Sequence, residues 1–191
     1  MKILYGVQGT GNGHITRSSL LIPILRDMGH EVEVIISGRN KANFFDIEIL
    51  KPFEIKKGIT FITSKGEVKI FKTALDLRVI EFIKDVRGRD LNNIDLVISD
   101  YEPITAWIAK IKNKTSMGIA HQYAFKYNIP IFGDNFFTRL IMNNLAPVEI
   151  EIGIHWYHFN QPLLPPIIPS FNKYQNIKNE KGKILVYLPF E

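Results

Sequence analysis

Five apolar, β-branched runs, each separated from the next by residues at helical spacing, restrict this chain to very few folds. The runs are Lys2–Val7, Glu31–Ser37, Ile94–Ser99, Thr115–Ala120 and Val148–His155, with a weaker one at Ile59–Thr63. Runs of this kind read as strands buried on both faces. Between them, Ile15, Ile22, Leu25 and Met28 share one face of a helix that Gly29 closes and Pro23 bends. Val68, Phe71, Leu75, Val79, Phe82 and Val86 form a second helical stripe. Pro103 stands at a first helical turn ahead of Ala106–Lys112, and Asp134 is placed to cap a helix carrying Phe137, Leu140, Ile141 and Leu145. Alternating strand and helix predict a mostly parallel sheet with helices on both faces. Right-handed crossovers then leave an α/β, doubly wound, Rossmann-like fold.

The pattern changes late in the chain. Gln161–Ser170 holds Pro162, Pro165, Pro166 and Pro169, four of the ten prolines, and reads as a stiff, extended linker. A polar stretch, Asn172–Gly182, follows. Lys183–Phe190 then echoes the opening Lys2-Ile3-Leu4-Tyr5 as a fresh buried strand. The expected organisation is a Rossmann-like domain over residues 1–160, a Pro-rich interdomain linker over 161–182, and the first strand of a second domain at 183–191. The chain therefore reads as truncated. A strand apolar on both faces is expected to cover an apolar surface, on its own domain or in a homodimer.

Composition narrows the chemistry. Of 191 residues, 46% are hydrophobic and 23% charged, which suits a packed core and excludes global disorder. The absence of cysteine removes disulfides, thiolate metal sites and cysteine nucleophiles. No signal peptide or membrane-spanning run is visible, so a cytoplasmic location is expected. The net charge of +5 suits phosphate-bearing ligands or an anionic membrane face as well as an ordinary solvated surface. Tyr123–Phe137, rich in aromatics with Lys126 and Arg139 near, reads as core plus loop, or as a membrane-facing or acceptor-facing surface. The five histidines lack metal-site spacing, and His155 and His158, bracketing Trp156-Tyr157, read as packing at a strand end. No cofactor, metal or nucleic-acid partner is expected.

The strongest local signal is Gly9-Thr10-Gly11-Asn12-Gly13-His14, between the first strand and the first helix. Glycines let the backbone turn and approach a ligand, and a helix start offers N–H groups to an anion. The dinucleotide fingerprint wants glycine where His14 stands, and a P-loop wants a lysine that is missing. His14, at a helix start, reads as a neutral imidazole able to accept a proton. Asp100 and Glu102 follow one strand, and His121-Gln122 follow the next. All leave the same carboxyl edge of a parallel sheet, where ligands bind. An acid near His14 would orient its ring and stabilise its charged form. Capping the helix behind Pro103 is the alternative role for Asp100.

Gly-x-Gly-x-Gly-His before a helix, with Gly29-His30-Glu31-Val32 opening the second strand, resembles the amino-terminal domain of GT-B glycosyltransferases. The similarity is to the MurG family of peptidoglycan N-acetylglucosaminyltransferases, to MurG-like transferases and to UDP-glycosyltransferases. It covers residues 1 to about 160, with Lys183–Glu191 matching the opening of a second domain. His121-Gln122 stand where the peptidoglycan enzymes carry His-Glu-Gln-Asn. The resemblance implies that Gly9, Gly11, Asn12 and Gly13 face the donor phosphates, that His14 is the catalytic base supported by Asp100, and that Glu102, His121 and Gln122 lie on the acceptor side. It implies a nucleotide-sugar donor, a UDP-sugar above others, and a sugar or lipid-linked acceptor. It also implies peripheral contact with the inner face of the cell membrane.

Three functions follow. The first is the acceptor-binding half of a glycosyltransferase, inactive without its donor domain. The second is a non-catalytic binding or regulatory module of the same fold. The third is an NADP-type oxidoreductase with Arg39 meeting a 2′-phosphate, against which the altered third glycine argues.

Overall fold

A computed structural model describes residues 1–40, 44, 46–59, 63–64, 67–68, 78–131, 135–169, 182 and 184. Its strands are β1 (Lys2–Gln8), β2 (Glu31–Ser37), β3 (Phe53–Lys56), β4 (Thr63–Ser64), β5 (Glu67–Val68), β6 (Leu96–Asp100), β7 (Ser116–Ala120) and β8 (Ile150–Gly153). Its helices are α1 (Asn12–Asp27), α2 (Arg78–Gly88), α3 (Pro103–Ile111), α4 (His121–Ala124) and α5 (Phe136–Asn144). Six strands form one sheet of order β3-β2-β1-β6-β7-β8, parallel throughout, while β4 and β5 make a separate antiparallel pair. This is the doubly wound α/β fold. Strand order reverses between β1 and β6, so a crevice opens where Gln8 and Asp100 end their strands.

Strand alternation divides the core. Ile3, Tyr5 and Val7 of β1 and Val32, Val34 and Ile36 of β2 face α1, where Ile15 and Ile22 meet them. Leu4, Ile35 and Val97 face the other side, against Val86 of α2 and Ile104, Ile108 and Ala109 of α3. Burying each such side chain contributes about 1.5–3 kcal/mol, which holds both helix layers against the sheet.

The edge strand β3 is absent from the sequence-based expectation, because Phe53-Glu54-Ile55-Lys56 is short and half-buried behind Pro52. The weaker run at 59–63 falls largely outside the described residues. Val68 lies in strand β5 rather than on a helix. The described helix begins at Arg78; Phe71 and Leu75 lie outside the described residues, and Val79 is exposed. Asp134 also lies outside them, and the cap of α5 is Asn135, whose side chain accepts from the Thr138 N–H. Of the stripe expected there, Leu140 is half exposed. Part of the Pro-rich run rests on the domain. Leu163 is buried, and the Leu164 N–H donates to the Gly153 carbonyl at 2.9 Å. The apolar run 183–190 lies outside the described residues apart from Ile184.

Candidate functional site

The glycine loop leaves β1 and is tied at once to β2, the Gly9 N–H donating to the Ser37 carbonyl at 2.6 Å. Glycine is required at position 9, where a Cβ would stand 2.7 Å from the Phe44 ring and 2.8 Å from the Ser37 oxygen. Arg39 braces the loop from β2, donating to the Thr10 carbonyl at 2.7 Å and to Asn12 Oδ1 at 3.1 Å. Arg39 thus serves the loop itself. Gly11 is the N-cap of α1 without any side-chain cap, so the first turn presents backbone N–H groups at the positive end of a 16-residue helix. Space over Gly13 is open. A cavity of about 460 Å³ adjoins this turn, lined by Asn12, Gly13, Thr16, Arg17, Ile154, Pro166 and Ile167.

His14 and Asp100 meet across the strand-order reversal. His14 Nδ1 lies 2.7 Å from Asp100 Oδ1. A carboxylate only accepts, so the proton of the neutral imidazole sits on Nδ1 and Nε2 keeps its lone pair. Gln122 Nε2 approaches that nitrogen at 3.4 Å, while Gln122 Oε1 has no partner among the described residues. The Gln122 amide therefore stands beside the unprotonated nitrogen of His14.

Asp100 is fully buried and serves more than His14. Arg17 Nε donates to Oδ2 at 2.9 Å, Arg17 Nη2 donates to Oδ1, and Ser18 Oγ donates to Oδ2 at 3.2 Å. The guanidinium also passes 3.1 Å from His14 Nδ1. With the proton on Nδ1 this is an approach of two donors that share one carboxylate. Arg17 escaped the sequence reading, though its spacing of three from His14 on a helix puts the two on one face. Burial, then the Asp100 charge, pushes the Tyr5 phenol upward, so the ring beneath the pair stays neutral.

Glu102 has a different role from the acceptor contact expected of it. It is fully buried and caps α3, accepting from Ile104 N–H at 2.9 Å and Thr105 N–H at 2.7 Å. Ser37 Oγ donates to it at 2.6 Å and Thr105 Oγ1 at 2.8 Å. Its oxygens are consumed inside the protein, so none faces a ligand. The cap beside Pro103 is thus Glu102, and Asp100 is left to the crevice. Burial raises the Glu102 carboxyl, opposed by those same hydrogen bonds. Gly6 makes room for it: a Cβ there would fall 2.0 Å from Thr105 Oγ1.

His121 opens α4 at the end of β7 and donates from Nδ1 to the Ile154 carbonyl at 2.9 Å. Its ring stacks on His155, with centroids 5.3 Å apart. His155 thus packs at the strand end, also meeting Phe159 with centroids 5.1 Å apart, whereas His158 is exposed and the neighbouring Trp156 is 82% exposed. Of the aromatic stretch Tyr123–Phe137, Tyr123 and Ile129 are buried, Phe125 and Tyr127 are half-buried, and Phe136 is exposed. It borders a larger cavity of about 840 Å³ lined by Phe125, Tyr127, Ile131 and Met142, with Lys126 and Arg139 at its wall. Among the described residues no group of potential metal ligands comes together, and no helix is long and apolar enough to cross a membrane.

Solved structures similar to this chain are glycosyltransferases. MurG of Acinetobacter baumannii aligns at 14% identity and a TM-score of 0.45, over 85% of this chain and 44% of that one. SsfS6 of Streptomyces sp. SF2575 aligns at 16% and 0.41, over 64% and 40%. SnogD of Streptomyces nogalater aligns at 14% and 0.43, over 97% and 54%. The chain thus spans about half the length of these proteins. No curated protein matches the sequence. A family model described as glycosyl transferase family 1 matches residues 1–188, essentially the whole chain. The chain belongs to glycosyl transferase family 1.

Proposed function

We propose that this chain supplies the acceptor side and the base of a glycosyl transfer from a nucleotide-sugar, in an enzyme completed by a donor-binding domain. In this reading residues 1–160 form the acceptor-side domain, 161–182 the connection, and 183–191 the opening strand of the donor domain. His14 Nε2 takes the proton of the acceptor hydroxyl as its oxygen attacks the anomeric carbon. The bond from that carbon to the phosphate oxygen breaks, and the nucleoside diphosphate leaves with inversion. Charge developing on the diphosphate is met by the backbone N–H groups at the Gly11–Gly13 turn. Asp100 holds the imidazole in the tautomer that leaves Nε2 unprotonated and stabilises the imidazolium formed. The observation that carries the reading is the 2.7 Å contact of His14 Nδ1 with Asp100, beside an uncapped helix start.

The test combines the chain with a donor-domain polypeptide and a panel of UDP- and dTDP-sugars. Release of nucleoside diphosphate and the anomeric configuration of the product by NMR are followed. Inverted product is expected, and the chain alone is expected to bind UDP more weakly than micromolar. Retained configuration, or no transfer with any donor, would remove the reading. The second outcome would favour a non-catalytic binding module, for which the consumption of both Asp100 oxygens by Arg17 is the supporting observation.

A further inference from the structure

The aromatic loop that follows β8 has no part in the chemistry above. Residues 155–159 read His-Trp-Tyr-His-Phe, and backbone bonds fix them. The His155 N–H donates to the Leu164 carbonyl at 2.9 Å, and the Gln161 N–H to the His158 carbonyl at 2.7 Å. The Tyr157 N–H donates to His155 Nδ1 at 3.1 Å and the Asn160 N–H to His158 Nδ1 at 3.0 Å. Phe159 buttresses the loop, meeting His155 at 5.1 Å and Tyr157 at 4.9 Å between ring centroids. Yet this rigid loop leaves Trp156 82% and Tyr157 58% exposed. Large rings held out in water on a fixed loop are preorganised for a ligand, since little ordering entropy is lost when one arrives.

The loop is continuous with the His14 centre. His155 stacks on His121; the next residue, Gln122, reaches His14 Nε2 at 3.4 Å. Polar atoms of defined character belong to the loop and to the residue it stacks on. His121 donates from Nδ1 to Ile154, so its Nε2 keeps a lone pair. His158 accepts at Nδ1 from Asn160, so its neutral ring carries the proton on Nε2. Exposed rings on a segment that also carries single, directed acceptors and donors suit a pyranose, which offers a C–H face for stacking and a rim of hydroxyls for hydrogen bonds. An acyl chain needs an apolar surface without such a rim.

We propose that the loop at 155–159 is a saccharide platform, with Trp156 as its main stacking surface, and that the acceptor is therefore itself a sugar. The proposal rests on the glycosyl-transfer reading of His14. Trp107 and Trp156 are the two tryptophans, so Trp107→Phe leaves Trp156 as sole reporter. In that background the full chain is titrated with the methyl β-glycosides of glucose, N-acetylglucosamine, galactose and mannose. Vesicles of phosphatidylcholine and phosphatidylglycerol in equal parts are titrated separately. A saturable change in emission is expected with at least one glycoside. By calorimetry, Trp156→Ala should weaken that binding about tenfold or more and Trp156→Phe less. Circular dichroism should show both variants folded. Emission indifferent to every glycoside, a shift produced by vesicles alone, or unchanged glycoside binding by Trp156→Ala would overturn the platform. The two readings separate cleanly. Glycoside binding without turnover of any nucleotide-sugar keeps the platform and removes the transferase. Transfer to non-sugar acceptors, indifferent to Trp156→Ala, does the reverse.

Discussion

Arg17 Nε lies 2.9 Å from Asp100 Oδ2, so the carboxylate that orients His14 is neutralised from the same helix that carries His14. Asp100 is fully buried, and the Arg17 side chain is only 12% exposed. Arg17→Ala is expected to cost about 3–5 kcal/mol in urea unfolding, by leaving Asp100 buried and unpaired. Arg17→Ala combined with Asp100→Asn should recover part of that loss. A loss below about 1 kcal/mol for the single variant would mean that the pair is solvated.

Glu102 gives a pH test of the fold. Burial raises its folded-state carboxyl above the ordinary value of 4.5. The folded protein then holds that proton to higher pH than the unfolded chain does. Stability from this group is complete below about 4.5 and falls as pH rises through the folded-state range. Glu102→Gln does not titrate, and its Nε2 confronts an N–H that the carboxyl accepted. The variant should be less stable by about 1–3 kcal/mol at low pH. The gap to wild type should narrow as pH rises. Urea melts of both proteins across the acid-to-neutral range read this, and a widening gap would reverse the assignment.

Gly11 and Gly13 should respond differently to alanine. A Cβ at Gly11 would stand 3.0 Å from His14 Cδ2, whereas one at Gly13 meets nothing within 4 Å of protein. Gly11→Ala is expected to displace the imidazole by a few tenths of an ångström and lower kcat about tenfold, with KM for the acceptor little changed. Gly13→Ala should leave the protein no less stable and raise KM for the donor, because the proposed donor phosphates would lie in that open space. Equal effects of the two on kcat and KM would contradict the placement of the loop.

Much of this arrangement was legible in the residues. The long apolar runs at β1, β2, β6 and β7 announced a parallel sheet, because strands covered on both sides need no polar alternation. The glycine loop, Asp100 and His121 followed from where those strands end. Phe53–Lys56 was hidden because an edge strand carries a mixed pattern in only four residues. Arg17 was hidden for another reason: its partner Asp100 lies 83 residues away, and pairing of that kind is set by the fold. Glu102 was misjudged because a carboxylate near a sheet edge looks alike in sequence whether it faces a ligand or a helix N-terminus.

The central claim is that His14 accepts the acceptor's proton, and removing the imidazole tests it most directly. With the chain completed by a donor domain, His14→Ala is expected to lower kcat by about 10²–10⁴-fold with the unfolding midpoint unchanged. Asp100→Asn should give a smaller loss with the same inverted product. A His14→Ala enzyme that keeps wild-type kcat would place the base elsewhere and contradict the account.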